Sequence, residues 1–367
     1  MIIFGQITIS ISEEVFVKKS LCYLALIPIS LVAADPIQKS SSNDLDFTID
    51  ASFTYWYAKE DGLNVARSAV ITGAAVVVDS SDAQMLTQSF SYEPGFIVGV
   101  GMGTSSDWDL HAAYIYYRST NTTSKSAPSN PLAVAGTGVW LVNDWFLQST
   151  PISDQQVSAT HISSKWHLGM DLGDVTFRRS AASGKGFKCS PFAGLRTVWI
   201  RQSMDVDVTQ AAASVGLSRN YPAQPIHSNT TSHSWGIGPR LGAEGLYSLP
   251  VGFFLKSHFA ASLLYTKFTS LDHDEQRVSL SVANSTFSAH MSDYNTVRPV
   301  LDANLGIGWG MDFHGKYRLN LIASYDFSYF WGQNMMRNMM DEFSYGSASG
   351  DNDLYFQGLA ITAGFHF

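Results

Sequence analysis

After residue 35 the sequence contains no apolar run of about 20 residues, the length that a transmembrane helix needs. Charged residues make up only 15% of the chain, whereas about 25% is usual in soluble domains. Cysteine is almost absent: Cys22 lies in a predicted export signal and leaves Cys189 alone, so the mature chain is expected to form no internal disulfide. The net charge of −8 argues against a nucleic-acid partner. The lack of long apolar runs excludes a bundle of membrane helices, and the low fraction of charged residues argues against the surface of an ordinary soluble protein.

Aromatic residues are plentiful instead, at 13% of the chain, and the last nine residues show how they are used. Successive side chains of a strand point to opposite faces. Counting back from the terminus, one face is apolar and the other is small or polar. An apolar terminal strand that ends on an aromatic residue looks like the assembly signal of bacterial outer-membrane β-barrels. The residues assigned to this signal are Leu359, Ile361, Ala363, Phe365 and Phe367.

The N-terminal segment has the pattern of a secretory signal. Two lysines precede the apolar run Leu21–Val32, which is followed by small residues. We therefore expect a signal peptide over residues 1–34 and a barrel domain over residues 35–367. Residues 1–16 are unusual in front of such a signal, and we hypothesise that translation begins at residue 17. Peptides from residues 1–16 in the unprocessed precursor would contradict this.

The rest of the chain forms ten segments in which apolar residues alternate with small or polar ones, most clearly over residues 301–313. Short and long links alternate between them, which predicts an all-β, transmembrane, antiparallel up-and-down β-barrel with short periplasmic turns, long outer loops and periplasmic termini. Apolar stretches at 69–78 and 278–287 leave the total at about 10–12 strands. The short links lie near 104–107, 181–186, 248–251 and 313–316, and the long ones near 59–92, 119–160, 203–232, 267–296 and 332–352.

The more polar face of these segments carries mostly small residues with isolated charges. This suits a barrel interior better than the wet face of a secreted β-sandwich, which would be rich in Lys, Glu and Asp. On this predicted interior face, positive and negative residues occur in nearly equal numbers, which predicts a pore with weak ion selectivity. The structural alternative is that opposite charges pair across the interior and brace it. The predicted pore-lining residues are Asp50, Asp109, Lys165, His167, Asp171, Arg196, Arg240, Glu244, Lys256, Asp302, Arg318 and Asp326.

Several stretches resemble a known family. They include FTIDASFTYWYAKEDGLNVA near residue 47, WHLGMDLGDVTFRRS near 166, RPVLDANLGIGWGMDF near 298 and DLYFQGLAITAGFHF at the end. Their order and spacing resemble the Legionella-type pore-forming major outer-membrane proteins, a family also found in Chlamydia-like bacteria. The resemblance implies a pore-forming outer-membrane barrel that is abundant at the cell surface. It carries no catalytic motif over to this chain.

Enzymatic chemistry finds little support in the sequence, and we predict that the chain is not an enzyme. An omptin-type barrel protease uses Asp and His near its outer rim. Asp272, His273 and Asp274 are adjacent, so they alternate between the faces of a strand and give no clean pair. Four methionines within residues 335–340 are typical of an apolar loop helix rather than a soft-metal site. We expect no cofactor and no bound metal.

The predicted function is that of an outer-membrane porin, a weakly selective aqueous pore for passive diffusion of small hydrophilic solutes and ions. Barrels of about eight strands are filled by side chains, so ten strands leave at most a narrow pore. The alternative is therefore a narrow or plugged barrel whose surface loops act as an adhesin or host-contact protein. Expected partners are outer-membrane lipid and lipopolysaccharide, the barrel-assembly machinery and periplasmic chaperones. A homo-oligomer is left open.

Overall fold

The computed structural model describes most of the chain from residue 46 onward. The predicted signal peptide and the hypothesis about the translation start lie outside the described residues. Within them, no helix is long and apolar enough to cross a membrane. The described ranges are 46–72, 75–77, 85–103, 108–126, 137–143, 145–146, 158–179, 182–184, 186–210, 225–277, 285–313, 317–346 and 352–367.

Ten long strands form a closed antiparallel ring in which each strand pairs with its neighbours in sequence. The ring closes where the first strand pairs with the last, for example Ala51 with Ala363. Closure satisfies the backbone groups that an open edge would leave unpaired in lipid. The strands are β1 (Asp46–Glu60), β2 (Tyr92–Gly103), β3 (Trp108–Ser126), β4 (Ser158–Arg179), β5 (Phe187–Gln210), β6 (Pro225–Ser248), β7 (Phe253–Arg277), β8 (Tyr294–Phe313), β9 (Tyr317–Phe330) and β10 (Leu354–His366).

The predicted barrel class is confirmed, and the range of 10–12 strands resolves to ten. The apolar stretch at 69–78 contributes to a hairpin, Asn64–Thr72 with Ala75–Val77, that pairs with Thr137–Asn143 outside the ring. Among the described residues, the strand Ser285–Met291 pairs only with the end of β7. Two further short strands are Met85–Thr87 and Ala182–Gly184, and the described helices are α1 (Met335–Tyr345) and the 3₁₀ turn Pro250–Gly252.

The predicted alternation of short and long links is also confirmed, although the strands are longer than expected. The start of β1, the end of β10 and the strand ends that the short links join lie at one end of the ring, here called the short-turn end; the other is the long-loop end. β4, β5, β6 and β7 have 22, 24, 24 and 25 residues, whereas a tilted membrane strand needs only about 9–11. Stretches that were predicted as loop, such as 203–210, therefore continue the strands beyond the membrane.

The outer wall divides the barrel into two zones, as β5 shows. Leu195 and Trp199 face outward and are 55% and 47% exposed. Further along the same strand, the outward residues are Asp205 and Asp207, while the inward residues Val206 and Val208 are fully buried. Apolar side chains thus face outward near the short-turn end and inward near the long-loop end. This is the arrangement expected of a strand that leaves lipid and enters water.

Two rows of aromatic residues bound the apolar part of the wall, as expected for the interfaces of a membrane barrel. The lower aromatic row lies at the short-turn end and contains the exposed pair Trp108 and Phe177, whose ring centroids are 5.7 Å apart. The part of the barrel between the two rows is here called the membrane zone, and the part beyond the upper row the upper zone. The upper aromatic row is Phe96, Tyr116, Trp199, Trp235 and Tyr265.

Candidate functional site

The barrel interior holds nine of the twelve residues that were predicted to line a pore. Each of the nine contacts, or pairs directly with, other inward-facing residues. They are Asp50, Asp109, Arg196, Arg240, Glu244, Lys256, Asp302, Arg318 and Asp326.

The other three predicted residues, Lys165, His167 and Asp171 of β4, lie on the outer wall, so their assignment to the interior was wrong. Asp171 pairs directly with Tyr116 and accepts a hydrogen bond from the outward Tyr114 hydroxyl at 2.5 Å. Lys165 and His167 share its face because they differ from it by even numbers. The physical reason is that this part of β4 lies at and above the upper aromatic row, where the apolar face turns inward.

Arg196 lies at the centre of the interior and bridges strands on different sides of the barrel. Its guanidinium binds Asp174 of β4 through two hydrogen bonds of 2.8 and 2.7 Å, and Asp302 of β8 through one of 2.7 Å. Only 2% of the Arg196 side chain is exposed. A buried ion needs this degree of pairing to offset its lost hydration. Asp174 was not among the predicted residues.

Arg240 of β6 completes this cluster, which we call the central brace (Asp174, Arg196, Arg240 and Asp302). It contacts the same Asp302 oxygen as Arg196, and its Nε lies 3.6 Å from Asp174. The other Asp302 oxygen accepts a hydrogen bond of 2.7 Å from Ser328 of β9. Two cations and two anions from four strands therefore neutralise one another in the middle of the barrel.

A second set of ion pairs lies closer to the short-turn end. Arg178 of β4 contacts Glu244 of β6 at 3.2 Å and Asp109 of β3 at 3.3 Å. Glu244 also binds Lys256 of β7 at 3.2 Å. Arg178 was missed by the sequence analysis for the same reason as Asp174, since both follow the misassigned part of β4 on its inward face.

The remaining interior charges are paired with neighbours nearby. Asp50 lies 2.8 Å from Nε2 of His111. Asp326 accepts hydrogen bonds from the Trp56 indole at 3.2 Å and from the Asn304 amide. Arg318 lies near the short-turn end, where its side chain is 23% exposed and 3.8 Å from Asp312. In the membrane zone, each predicted interior residue thus has a charged or hydrogen-bonding partner inside the barrel.

A hydrophobic core fills the interior above the central brace. Among the described residues, 25 buried side chains from eight of the ten strands, the loop strands and α1 form one cluster. Trp56, Trp166 and Phe356 are almost completely buried within it. Glu60 of β1 and Gln202 of β5 meet at 2.7 Å within this region, from nearly opposite sides of the ring. Such packing leaves little room for water.

The predicted loop helix is confirmed as α1, which covers the interior at the long-loop end. Its N-terminus is capped by Asn334, whose side chain accepts a hydrogen bond of 3.0 Å from the backbone of Arg337. Its methionines are buried, Met336 and Met340 in the main core and Met335 and Met339 in a smaller cluster beside β7. The methionines therefore act as apolar packing residues.

The upper zone also contains a hydrogen-bonded row that the sequence analysis did not identify. Thr230 Oγ1 lies 2.7 Å from Nδ1 of His273, and Nε2 of His273 lies 2.9 Å from Glu275. All three side chains are fully buried, so they are closed to a substrate from solvent. The row formed by Thr230, His273 and Glu275 therefore satisfies buried polar groups and contributes to packing.

On the outer face of β7, Ser270 donates a 2.7 Å hydrogen bond to Asp272. This hydrogen bond, together with His290, holds the pKa of Asp272 below its usual value.

The residues assigned to the assembly signal form the outward face of β10. Leu359 and Ile361 are exposed in the membrane zone, and the Phe365 and Phe367 rings stack at 5.9 Å. The backbone of Phe367 exchanges hydrogen bonds of 2.8 and 2.9 Å with Phe47 at the start of β1. The predicted signal therefore lies at the seam where the ring closes.

Comparison with known families and solved structures places this geometry in context. The family described as "Legionella pneumophila major outer membrane protein precursor" matches residues 40–367. No curated protein matches the chain.

The similar solved structures are distant. The outer membrane protease OmpT from Escherichia coli has 10% identity and a TM-score of 0.41, and the match covers 90% of this chain and 98% of OmpT. A major outer membrane protein from Thermus thermophilus has 9% identity and a TM-score of 0.30, with 88% and 99% covered. The toluene transporter TodX from Pseudomonas putida has 10% identity and a TM-score of 0.28, with 89% and 90% covered. Similarity this low carries no argument about function.

Proposed function

The chain belongs to the family of the Legionella pneumophila major outer membrane protein precursor, and we propose that it acts as a closed outer-membrane barrel whose upper zone is a surface-exposed platform for contact with other molecules. The observation that carries this proposal is the filled interior. The central brace and the core above it occupy the path that a continuous aqueous channel would need. The long extensions of β4 to β7, with polar outer faces, then provide a base for the long loops.

The proposal includes an orientation, with the short-turn end in the periplasm and the long-loop end outside the cell. Support comes from the asymmetry of the links, since short periplasmic turns and longer outer loops are usual in such barrels. An epitope tag in the 278–284 link should be labelled on intact cells, whereas a tag in the 314–316 turn should be labelled only after permeabilisation. The reverse labelling would contradict the orientation.

Contact by the long loops is testable by replacing the link 211–224 with a Gly-Ser linker. We expect cells carrying this variant to bind host cells or surface material less than wild type, at equal surface levels. The matched control replaces the 314–316 turn in the same way and should leave binding unchanged. The same treatment of each long link shows which of them makes the contact. Unchanged binding for every long-link variant would contradict the platform function.

A weakly selective porin is the second candidate, favoured by the mixed charges of the membrane zone and by the partly exposed Asp109 and Arg318 near the short-turn end. Planar bilayers separate the two candidates. We expect the refolded mature chain, residues 35–367, to insert without discrete conductance steps, because the brace and core block the path. Stable conductance steps with little ion preference would overturn the closed barrel and establish the porin.

A further inference from the structure

Two arginines form a cationic site, here called the cleft, on the outer wall immediately above the upper aromatic row. Arg118 of β3 and Arg201 of β5 both pair directly with Gly169 of β4, so the two arginines flank a position that has no side chain. Tyr116, Asp171 and Trp199 form the row directly below. We infer that this cleft binds a phosphate group of an anionic glycolipid in the outer leaflet of the membrane.

The two arginines are held in place from the protein side. Arg118 donates hydrogen bonds of 2.8 Å to the Tyr117 and Met170 carbonyls, and its Nη2 lies 2.6 Å from Asp171. Nη2 of Arg201 lies 3.4 Å from the same Asp171 oxygen. One carboxylate therefore brings two guanidinium groups together. Such a pair offers planar, directed donors that suit the tetrahedral oxygens of a phosphate.

Enough of both cations remains accessible for a ligand. The Arg201 side chain is 62% exposed and that of Arg118 is 37% exposed. Gly169 leaves room for the Arg118 side chain to lie across β4 towards Arg201, since an added Cβ would lie 3.3 Å from Cδ and Nε of Arg118. Lys165 and His167 lie above the cleft on the same face. Asp171, Asp205 and Asp207 are the anions of this surface, and Asp171 is already shared by the two arginines.

The position of the cleft selects the source of the phosphate. The aromatic row marks the level of the lipid headgroups, so the arginines stand where the phosphates of a glycolipid in that leaflet would lie. The apolar wall below, with Val98 and Leu195 exposed, would contact the acyl chains. The whole chain carries a net charge of −8, so local pairing rather than general attraction must hold the anion. The inference rests on the proposed orientation, which the epitope tags test separately.

The test measures how much diphosphoryl lipid A stays with the refolded barrel in detergent, by native mass spectrometry. We expect the double variant R118Q/R201Q to retain at least about tenfold less lipid than wild type, because two charge-assisted contacts are lost. The matched control is R179Q, which removes an exposed arginine of the same outer wall at the short-turn end, where Arg179 lies over Trp108. It should retain as much lipid as wild type. Heat-dependent gel mobility shows that each variant is folded.

A second variant, G169L, displaces the Arg118 side chain from its place over Gly169 without removing a charge and should also reduce retention. Two further arms identify the source of the phosphate: lipid A stripped of phosphate should be retained poorly, and millimolar inorganic phosphate should fail to displace the diphosphoryl form. Equal retention by wild type and R118Q/R201Q would overturn the site. Equal retention of the stripped lipid would reduce the contact to acyl chains alone and overturn the phosphate assignment. Displacement by inorganic phosphate would overturn the lipid source.

Discussion

Replacing Arg196 with methionine should lower the free energy of unfolding by about 3–5 kcal/mol, the usual cost of removing one partner from a buried ion pair. Methionine fills a similar volume, so the loss comes from charge rather than from a cavity. Arg240 would remain alone against Asp174 and Asp302. Urea unfolding of the barrel refolded in lipid vesicles, followed by tryptophan fluorescence, measures the change.

Two controls separate charge from packing in this experiment. The variant R179M removes an exposed arginine and should change stability by less than about 1 kcal/mol. The double variant R196M/D174N restores the balance of charge and should be more stable than R196M alone, because Asp302 keeps Arg240 as its partner. If R196M were as stable as R179M, the central brace would contribute nothing to stability and the argument for a braced interior would fail.

Replacing Phe367 with serine should remove most of the folded barrel from the outer membrane while changing its intrinsic stability little. The lost ring contacts with Phe47 and Phe365 account for about 0.5–1.5 kcal/mol each. Assembly should suffer far more, because we propose that the terminal strand is the element that the barrel-assembly machinery recognises. Quantitative blots of heat-modifiable protein in outer-membrane fractions measure the folded amount.

The matched control for this prediction is Phe47→Ser. It removes the same stacking contact from the other side of the seam but leaves the terminal residue intact. We expect F47S to reach the membrane at close to wild-type levels. Equal losses for F47S and F367S would mean that closure of the seam, rather than recognition of the terminus, limits assembly.

The sequence predicted the ring of strands well because lipid imposes a strict pattern on it. A residue in the membrane zone must be apolar if it faces outward, and the backbone must close on itself. The face of Asp50, Arg240 and Asp302 follows from this rule alone. Which charge meets which across the interior did not follow, since contacts such as that of Arg196 with Asp302 depend on where distant strands face one another.

The rule failed on β4, although the sequence held a signal of the failure. Trp166 to Leu172 places apolar residues at even positions, whereas Val175 and Phe177 are apolar at odd positions. Both sets could face lipid only if β4 contained a bulge. Its pairing with β3 is regular throughout, so β4 contains no bulge against β3. The change of phase marks the point where the strand leaves the membrane. If the odd-numbered residues Val175 and Phe177 are taken as the lipid-facing side of β4 near the short-turn end, the even-numbered Asp174 and Arg178 must face the interior.

The hydrophobic core above the central brace has a consequence for the order of folding. Its members come from both ends of the chain: the rings of Trp56 in β1 and Phe356 in β10 lie 6.2 Å apart. Neither can reach its final neighbours until the last strand has joined the first. In the proposed orientation most of the core also lies beyond the bilayer, so the ten strands must cross the bilayer before the core can pack. We therefore expect the pairing of β1 with β10 and the exclusion of water from the core at the long-loop end to occur together, late in folding.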